Sequence, residues 1–403
     1  MESHGIVIAG GGICGLATAL ALHRKGIPSL VLEKSSTLRA EGAGIGVQAN
    51  GWRALEQLGV AQELRETADL ITSYRDVWKQ ENKQSTQEDE YSVRTEMRCL
   101  NRKDLIEALA KAIPAGTIRY GCQIAAIHED PGSHGTLLTM VDGTTIKAKV
   151  LIGCEGTYSV VAKYLGLAPV RTIPRPVLRG YTTYPHGHAF KNEFLRLRVG
   201  DFFIGRLTIT DTLVHFFVTM PTPSTELTRD LKKVRDLALE DLQGLQCPAE
   251  IVDMVRESDP ESLNLVTRLW YRPPWEVAFA GFRKGTVTVA GDAMHAIGPF
   301  IGQGGSAGME DAVVLARSLA RAVGRDGAGG EARQEEMEMV GEAIGEYIRE
   351  RRLRLALLSL ESFIMGALLV RSPSPVIKLA CVAVLILLGS KSLRHANYDC
   401  GRL

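Results

Sequence analysis

A carboxylate ends an apolar strand in the stretch VAGDAMHAIGP, residues 289–299. Asp292 follows the strand directly, and small residues, a histidine and a proline come after it. A carboxylate in this position either caps the helix that follows or accepts hydrogen bonds from the hydroxyl groups of a ligand. A second turn, GQGG at 302–305, precedes another helical stretch and supplies backbone N–H groups suited to an anionic or polar ligand. The segment therefore predicts a ligand site at the carboxyl end of a buried strand.

The sequence GGGICG at 10–15 is a second chemical signal, and it fits the pattern G-x-G-x-x-G. It lies between the apolar run GIVIA and the helical stretch LATALALHRKG. In this pattern Gly10 makes a tight turn, Gly12 lets a pyrophosphate approach the backbone, and Gly15 permits close packing of helix on strand. Glu33 ends the next strand, where a carboxylate can accept hydrogen bonds from ribose hydroxyls. The alternatives are a structural turn and a solvated glutamate, but the context favours a dinucleotide, either NAD or FAD.

The two glycine turns are far apart in the sequence, and both precede helices. One extended ligand that reaches both is a flavin dinucleotide. Its pyrophosphate would lie at Gly12, and its ribityl chain and ring would lie near Asp292 and Gly304. The segment that begins at residue 289 thus favours FAD over NAD.

These motifs together resemble a known family. GGGICG, Glu33, GAGIG, NRKDL, CEG and GDAMHAIGP, in this order, are similar to the class A FAD-dependent monooxygenases of the p-hydroxybenzoate hydroxylase fold. The similarity is greatest to the plant monooxygenase and zeaxanthin-epoxidase-like branch, and it covers about residues 5–325. Each motif is unspecific when taken singly, whereas the ordered set is specific.

The fold expected from the resemblance and from the strand patterns is α/β. It has a three-layer, Rossmann-like FAD-binding domain, an inserted and mostly antiparallel β-sheet substrate domain, and a C-terminal helical tail. Period-two alternation in FLRLRV, FFIGRLTI and LVHFFVTM supports the antiparallel sheet. The expected bounds are 1–71, 97–170 and 281–330 for the FAD-binding domain, 72–96 and 171–280 for the substrate domain, and 331–403 for the C-terminal helices.

The resemblance also implies roles for single residues. Asp292 would bind a ribityl hydroxyl, and Arg102 in NRKDL would reach the phosphate or ribityl region, unless it is a solvated arginine that begins an amphipathic helix. The backbone of Ile124 would lie beside the adenine. Gly46 belongs to the loop against which the isoalloxazine ring swings, and Pro299 and the 302–305 turn would cover that ring. The full predicted cofactor set is Gly10, Gly12, Ile13, Gly15, Glu33, Lys34, Gly46, Arg102, Ile124, Asp292, Pro299, Gly302, Gln303, Gly304 and Gly305.

Three positions depart from the family pattern. The Asp-Gly motif linked to FAD and nicotinamide appears as Glu155-Gly156, and the arginine expected soon after it is Ala162. Ser306 occupies a place often held by asparagine. The first two departures bear on the handling of the nicotinamide and leave flavin binding unaffected.

The activity implied is oxygenation of a small aromatic, phenolic or isoprenoid-like molecule, by hydroxylation or epoxidation, through a flavin C4a-hydroperoxide. NADPH or NADH would donate electrons and O2 would supply the oxygen. We expect the middle sheet to cover the substrate, so Arg206 is a candidate to hold a carboxylate or phenolate, and His215 a candidate base or hydrogen-bond donor. A structural role is the alternative for each.

Two other readings of the whole chain stay open. One is a flavin reductase or halogenase on the same fold, although the four tryptophans do not form the paired motif typical of such halogenases. The other is a non-catalytic binding protein with the FAD-binding fold, an alternative that the departures at Glu155 and Ala162 leave open.

Composition narrows the partners and the compartment. A net charge of +1 over 403 residues lacks the excess of positive charge that is typical of nucleic-acid-binding proteins. Seven scattered cysteines without a C-x-x-C motif favour a reducing, cytoplasmic setting over disulfides or zinc, and no metal site is expected. The apolar segment 363–389 is too short after Lys378 to span a bilayer. It would lie on a membrane surface, line a substrate entrance or cover the core.

Overall fold

A computed structural model describes residues 2–40, 42–79, 86–130, 135–323, 330–370, 375–388 and 394–403. Residues 324–329, which precede the expected domain boundary at 330, and residues 371–374 and 389 of the apolar segment fall outside these ranges.

Strands and helices alternate in the N-terminal third, and a run of strands occupies the middle of the chain. The strands are β1 (Glu2–Ala9), β2 (Ser29–Leu32), β3 (Ile45–Gln48), β4 (Ser73–Lys79), β5 (Thr86–Ser92), β6 (Met97–Leu100), β7 (Ile118–Arg119), β8 (Ile124–Glu129), β9 (Thr136–Met140), β10 (Thr145–Gly153), β11 (Arg171–Ile173), β12 (Val177–Thr183), β13 (Glu193–Val199), β14 (Phe202–Thr208), β15 (Leu213–Thr219), β16 (Asn264–Val266), β17 (Leu269–Tyr271), β18 (Arg283–Lys284) and β19 (Val287–Val289). The helices are α1 (Ile13–Arg24), α2 (Ala49–Leu58), α3 (Ala61–Arg65), α4 (Arg102–Lys111), α5 (Val160–Tyr164), α6 (Leu231–Gly244), α7 (Ala249–Arg256), α8 (Pro274–Phe279), α9 (Gly304–Leu319), α10 (Gly330–Val370) and α11 (Pro375–Leu388).

The first large sheet is built around β1, in the order β18-β19-β10-β1-β2-β7, and β8 and β9 extend it beside β10. β1 pairs in parallel with both β10 and β2, and β10 pairs in parallel with β19. The run Ile6–Ile8 is buried on both faces because helices cover the sheet on each side, as parallel sheets require. The carboxyl ends of β1, β10 and β19 therefore meet at one edge, where the motifs at residues 10, 155 and 292 begin.

The second large sheet has the order β16-β12-β15-β14-β13-β4-β5. All its pairs are antiparallel except β13 with β4. Burial in β13 alternates strictly, as expected where side chains point to opposite faces in turn. Leu195 and Phe216 face a core shared with α6 and α7, whereas Leu207 belongs to the core of the first sheet. One face of this sheet is thus turned toward the dinucleotide motifs.

The C-terminal region begins with one long helix. α10 packs against α8 and α9, and near its end Phe363 lies against Tyr271 and Trp275 while Gly366 lies against Phe300. This half of the apolar segment therefore covers the protein. No helix within the described ranges is long and apolar enough to cross a membrane.

Candidate active site

The turn at the N-terminus of α1 requires two of its glycines for packing and leaves a third open. Gly10 has φ +96°, and a Cβ there would lie 2.7 Å from the Cys154 oxygen. A Cβ on Gly15 would lie 1.9 Å from the Gly10 oxygen. A Cβ on Gly12 would meet nothing within 4 Å, and the first turn of α1, which Ile13 begins, carries no acidic side chain. The free space and the N–H groups at this helix end fit a pyrophosphate.

The Glu33 carboxylate lies directly beside this turn. It accepts hydrogen bonds from the backbone N–H of Gly11 (2.8 Å) and of Ser35 (2.8 Å), and from Arg39 Nη2 (3.1 Å). A carboxylate has about four lone-pair sites, so these bonds leave capacity for a ribose hydroxyl. The backbone carbonyl oxygen of Glu33 accepts from the N–H of Cys122, which brings the segment before Ile124 to the same place.

Lys34 is exposed, and Ile124 is buried at the start of β8. Within the described part of the chain, the Lys34 side chain has no hydrogen bond or ion pair. Their predicted roles beside the adenine end therefore stay predictions.

Asp292 lies at the carboxyl end of β19 in a short 3-10 turn, and the accessible space beside its side chain is called the cavity below. Its side chain is exposed, although the residues on either side of it, Gly291 and Ala293, are buried. Burial among protein atoms raises the pKa of Asp292, and the charges of His295 and Arg102 offset this only in part. A side chain that is surrounded by protein and still accessible marks an internal opening. Because a Cβ on Gly304 would come within 3.8 Å of Asp292 Oδ1, the fold joins the two halves of the 289–305 motif.

A buried network of hydrogen-bonded charged side chains, which the sequence did not reveal, holds this turn in place. Asp311 Oδ2 accepts hydrogen bonds from the N–H of Gly291 (3.0 Å) and from His295 Nε2 (2.9 Å). Arg351 Nε donates to Asp311 Oδ1 at 2.7 Å. Burial alone would raise the pKa of Asp311, but Arg351 and His295 outweigh it and lower the pKa. His295 therefore acts within this support and is not placed as a base toward the cavity.

The GAGIG loop lies between the 302–305 turn and the second sheet. A Cβ on Gly305 would lie 2.7 Å from Ile45 Cδ1, and one on Gly44 would lie 2.6 Å from His215 Cγ. The Gly44 N–H is 3.3 Å from His215 Nδ1. Gly46 follows in β3, paired with Cys99 of β6. The loop on which the ring was expected to swing is thus in contact with the covering turn on one side and with the predicted substrate sheet on the other.

The 302–305 turn has a backbone that needs its first glycine. Gly302 has φ +64°, in the left-handed region, and it ends the 3-10 helix Pro299–Ile301. Pro299 is exposed and Gln303 is completely buried. The amide of Gln303 donates to Gln48 Oε1 at 2.9 Å, so the turn is anchored from inside.

His215 lies on the face of the second sheet that contacts the GAGIG loop, and its role in the substrate site stays a prediction. Its Nδ1 lies 3.0 Å from the Gly180 oxygen, and its ring packs against Tyr181. Burial lowers the pKa of His215 to about 4, and Arg179 adds to the effect. A histidine that is neutral with so low a pKa is a weak base near pH 7. The structure therefore favours His215 as a hydrogen-bonding or packing residue of the site over His215 as a base.

Arg206 points away from the cavity, and this corrects its candidacy as a substrate anchor. It lies opposite Phe216 and Leu195, on the face that packs against α6 and α7. Its Nη2 donates to Glu193 Oε1 at 2.6 Å, and both side chains are almost fully buried. The physical reason is the period-two alternation of a strand, which turns Arg206 outward when Leu207 faces the loop.

Two other arginines occupy the cavity side instead. Arg102 begins α4 and passes under Gly42, whose Cβ would lie 2.7 Å from Arg102 Cδ. Arg179 of β12 donates through Nη2 to Asn264 Oδ1 at 2.7 Å, and its buried Nε has no hydrogen-bond partner among the described residues. Burial lowers the pKa of both guanidiniums, and the charge of Arg102 lowers that of Arg179 further. Arg179 was not predicted, although its odd-numbered position in β12 with Tyr181 would have placed it on the same face.

The departures from the family pattern have local structural roles. Glu155 accepts hydrogen bonds from the Ser159 hydroxyl and from the Val160 N–H (3.0 Å), at the N-terminus of α5. Ala162 is buried inside the same short helix. Burial raises the pKa of Glu155. Ser306 is buried in the first turn of α9. In this structure both oxygens of the Glu155 carboxylate accept hydrogen bonds at the N-terminus of α5.

Comparison with known proteins agrees with this geometry. The family model described as "FAD binding domain" matches residues 4–182 and 240–344. Monooxygenase 1 of Arabidopsis thaliana is 46% identical over 404 residues, covering 100% of both chains, and Monooxygenase 2 of the same plant is 36% identical over 365 residues, covering 88% of each. The crystal structure of Klebsiella pneumoniae HpxO complexed with FAD and uric acid has a similar fold, with a TM-score of 0.76 at 22% identity over 99% of this chain and 97% of that one.

The expected α/β fold and the expected FAD cofactor are thus confirmed. The free space at Gly12 and the accessible Asp292 carboxylate fit such a ligand. The chain belongs to the class A FAD-dependent monooxygenases.

Proposed function

We propose that this protein uses NADPH or NADH and O2 to hydroxylate or epoxidise a small aromatic, phenolic or isoprenoid-like molecule. The observation that carries the proposal is the group of polar side chains that meet between the turn at Asp292 and the second sheet. The charge of Arg102, at the start of α4, acts on both Asp292 and Arg179. The Tyr181 hydroxyl donates to the Gly42 oxygen at 3.3 Å, and His215 lies beside Gly44. When bound, FAD would supply the redox chemistry: the nicotinamide would provide two electrons, one oxygen atom of O2 would go to the substrate, and the other would leave as water.

The protein's own groups would bind and orient the cofactor. The α1 N-terminus at Gly12 would hold the pyrophosphate, Glu33 the ribose, and Asp292 a ribityl hydroxyl. Arg102 would neutralise charge near the ribityl chain. The Gly304 and Gly305 N–H groups would lie over the ring and exclude water from one side of it.

The second sheet would form the substrate side of the cavity. Phe217 lies over Gly205, where a Cβ would come within 2.1 Å of the Phe217 ring, so this glycine lets the aromatic ring lie against the strand. Arg179 lies opposite Phe217 across the β12–β15 pair. Among the described residues Arg179 has no acidic hydrogen-bond partner, and an aromatic surface beside such a guanidinium suits a flat substrate with an ionised or acidic group. Uric acid, which HpxO binds in its crystal structure, is one molecule of this kind.

The test is the visible spectrum of the purified protein, followed anaerobically as NADPH or NADH is added. Small phenols, purines, quinones and terpenoid alkenes would be tested in turn. We expect a bound oxidised flavin whose bleaching is accelerated by one of these classes. A bound flavin that neither nicotinamide reduces, with or without these compounds, would reject the proposed donor.

The exposed face of α11 gives the remaining proposal, a peripheral contact with membranes. Val376, Leu379, Ile386 and Leu387 are exposed at helical spacing. The sequence from residue 362 to 398 contains four lysines and arginines and no acidic residue. An apolar stripe with basic flanks fits the surface of an anionic bilayer.

Flotation with vesicles containing phosphatidylserine tests this contact. The wild-type chain should float with these vesicles and less with neutral ones, and the double substitution Leu379→Glu with Ile386→Glu should abolish flotation. A wild-type chain that stays at the bottom of the gradient with both vesicle types would reject it.

A further inference from the structure

Residues 394–403 are held against the first sheet's domain by hydrogen bonds to their backbone carbonyls. Arg53 Nη1 donates to the oxygens of Asn397 (2.8 Å) and Tyr398 (3.0 Å). Arg354 donates to the His395 oxygen and Arg317 to the Cys400 oxygen, each at 2.6 Å. The acceptors are backbone atoms, and the Tyr398 ring adds a contact with the guanidiniums of Arg351 and Arg354. Another side chain of the segment, His395, also points inward.

His395 is buried and lies between two side chains from distant parts of the sequence. Its Nδ1 is 3.0 Å from Glu361 Oε1, and its Nε2 is 3.1 Å from Gln48 Oε1. Gln48 Nε2 donates to the Ile301 oxygen at 3.3 Å, which fixes the orientation of that amide. Gln48 Oε1 is therefore an acceptor, and Nε2 of His395 must be the donor. Through Gln48, the segment 394–403 is bonded to the backbone just before the 302–305 turn.

The same Gln48 oxygen also accepts from Gln303, the buried side chain of the turn, at 2.9 Å. Gln303 Oε1 accepts in turn from Asn50 Nδ2 at 2.7 Å, and Asn50 Nδ2 also donates to Glu310 Oε1 at 2.6 Å. Glu310 is paired with the buried Arg351. The chain of bonds thus joins His395, the turn and the buried charges beneath Asp292. His395 supplies one of the three bonds that hold the Gln48 amide, so its removal leaves Gln48, and through it Gln303, less firmly held.

We propose that residues 394–403, here called the latch, hold the 302–305 turn in place over the flavin, and that His395 is the positioning residue of this latch. His395 orients the Gln48 amide, and Gln48 in turn orients the Gln303 amide. Gln303 then fixes the directions of the N–H groups of the 302–305 turn. The latch rests on the proposed placement of the flavin ring beneath this turn. It adds to that proposal a segment nearly one hundred residues farther along the chain, which reaches the turn through the side chains of Gln48 and Gln303.

The test compares His395→Ala and His395→Phe with Arg402→Ala, a change of an exposed side chain in the same segment. Two quantities are measured, the dissociation constant of FAD by fluorescence titration and the rate of amide hydrogen exchange in residues 299–306 of the loaded protein. Both histidine variants should raise the dissociation constant about 5-fold, equivalent to about 1 kcal/mol, and speed exchange in the turn. Arg402→Ala should change neither. His395→Phe keeps a flat ring at this position and removes the donor, so it decides the matter if the alanine variant folds poorly.

His395→Gln is the rescue variant, because its amide can still donate to Gln48. It should restore slow exchange and bring the dissociation constant back toward that of the wild type. Histidine variants with wild-type FAD affinity and wild-type exchange in the turn would overturn the latch. Equal loss in His395→Phe and His395→Gln would also overturn it. Asp292→Ala separates the two proposals, since loss of FAD in that variant upholds the site even if the latch fails.

Discussion

Nε2 of His295 lies 2.9 Å from Oδ2 of Asp311, and neither side chain is exposed. The same Asp311 oxygen accepts from the N–H of Gly291, so one carboxylate holds the residues on both sides of Asp292. Arg351 balances its charge. The position of the residue proposed to bind the ribityl chain is therefore decided by a helix, α9, that begins after it.

Asp311→Asn should lower the free energy of unfolding by about 3 kcal/mol, because the buried Arg351 loses half of its countercharge. It should also weaken FAD binding, because Gly291 and His295 are held less firmly. Denaturant unfolding and FAD titration measure the two effects. Glu346→Gln, in an exposed pair with Arg321, is the control and should change stability by less than about 0.5 kcal/mol. Unaltered FAD affinity in Asp311→Asn would contradict the supporting role.

Asp292→Ala should strip FAD or weaken its binding strongly while the fold is retained, since the side chain faces an opening. Asp292→Asn should bind FAD with intermediate affinity, because its amide oxygen still accepts one hydrogen bond without the charge. The flavin absorbance per mole of purified protein and the far-ultraviolet circular dichroism report the two properties. An alanine variant with a full complement of flavin would mean that the site is wrongly placed.

Gly12→Ala should fold normally and bind FAD poorly, because the added methyl group meets no protein atom but would occupy the space proposed for the pyrophosphate. Gly244→Ala is the matched control, since Gly244 ends α6 and its Cβ would also meet nothing within 4 Å. Thermal unfolding of the apoprotein should be close to wild type or higher for both variants. Equal FAD affinity in the two variants would argue against a phosphate at Gly12.

Acidification should destabilise the protein through His215. Its pKa of about 4 in the fold lies below the value of 6.5 for an unperturbed histidine, so the unfolded chain binds the extra proton. The contribution to stability is complete above about pH 6.5 and is lost as the pH falls toward 4. Between pH 8 and pH 5 the wild type should lose roughly 2 kcal/mol more than His215→Gln. Parallel stability curves for the two proteins would show that His215 is not a buried neutral group.

Replacement of Arg206 and of Arg179, which lie on opposite faces of the second sheet, should have different effects on stability and on the KM of the substrate. Arg206→Met should lower the free energy of unfolding by roughly 2–4 kcal/mol, since Glu193 keeps only Arg75 and a buried charge is partly unpaired. Arg179→Met should change stability little and raise the KM of an acidic substrate about tenfold or more. If the nicotinamide is the ligand of Arg179, its KM rises instead. A selective KM effect in Arg206→Met would reverse this assignment.

The sequence determined the local parts of the site. Gly10, Gly12 and Gly15 follow from one short motif, because a strand, a tight turn and a helix start within a few residues leave few choices of residue type. Asp292 and the glycines after it were recognisable for the same reason. The family and its FAD cofactor followed from the order of such motifs along the chain.

Only the tertiary structure decided which side chains meet from distant segments. Arg206 and Arg179 could not be ranked in advance, because the face that a strand turns to the cavity depends on the register of its neighbours. Asp311, Arg351 and His395 gave no sequence signal, since a charged residue in a helix is ordinarily solvated. They are buried here because partners from other elements satisfy them, and that pairing exists only once the chain has folded.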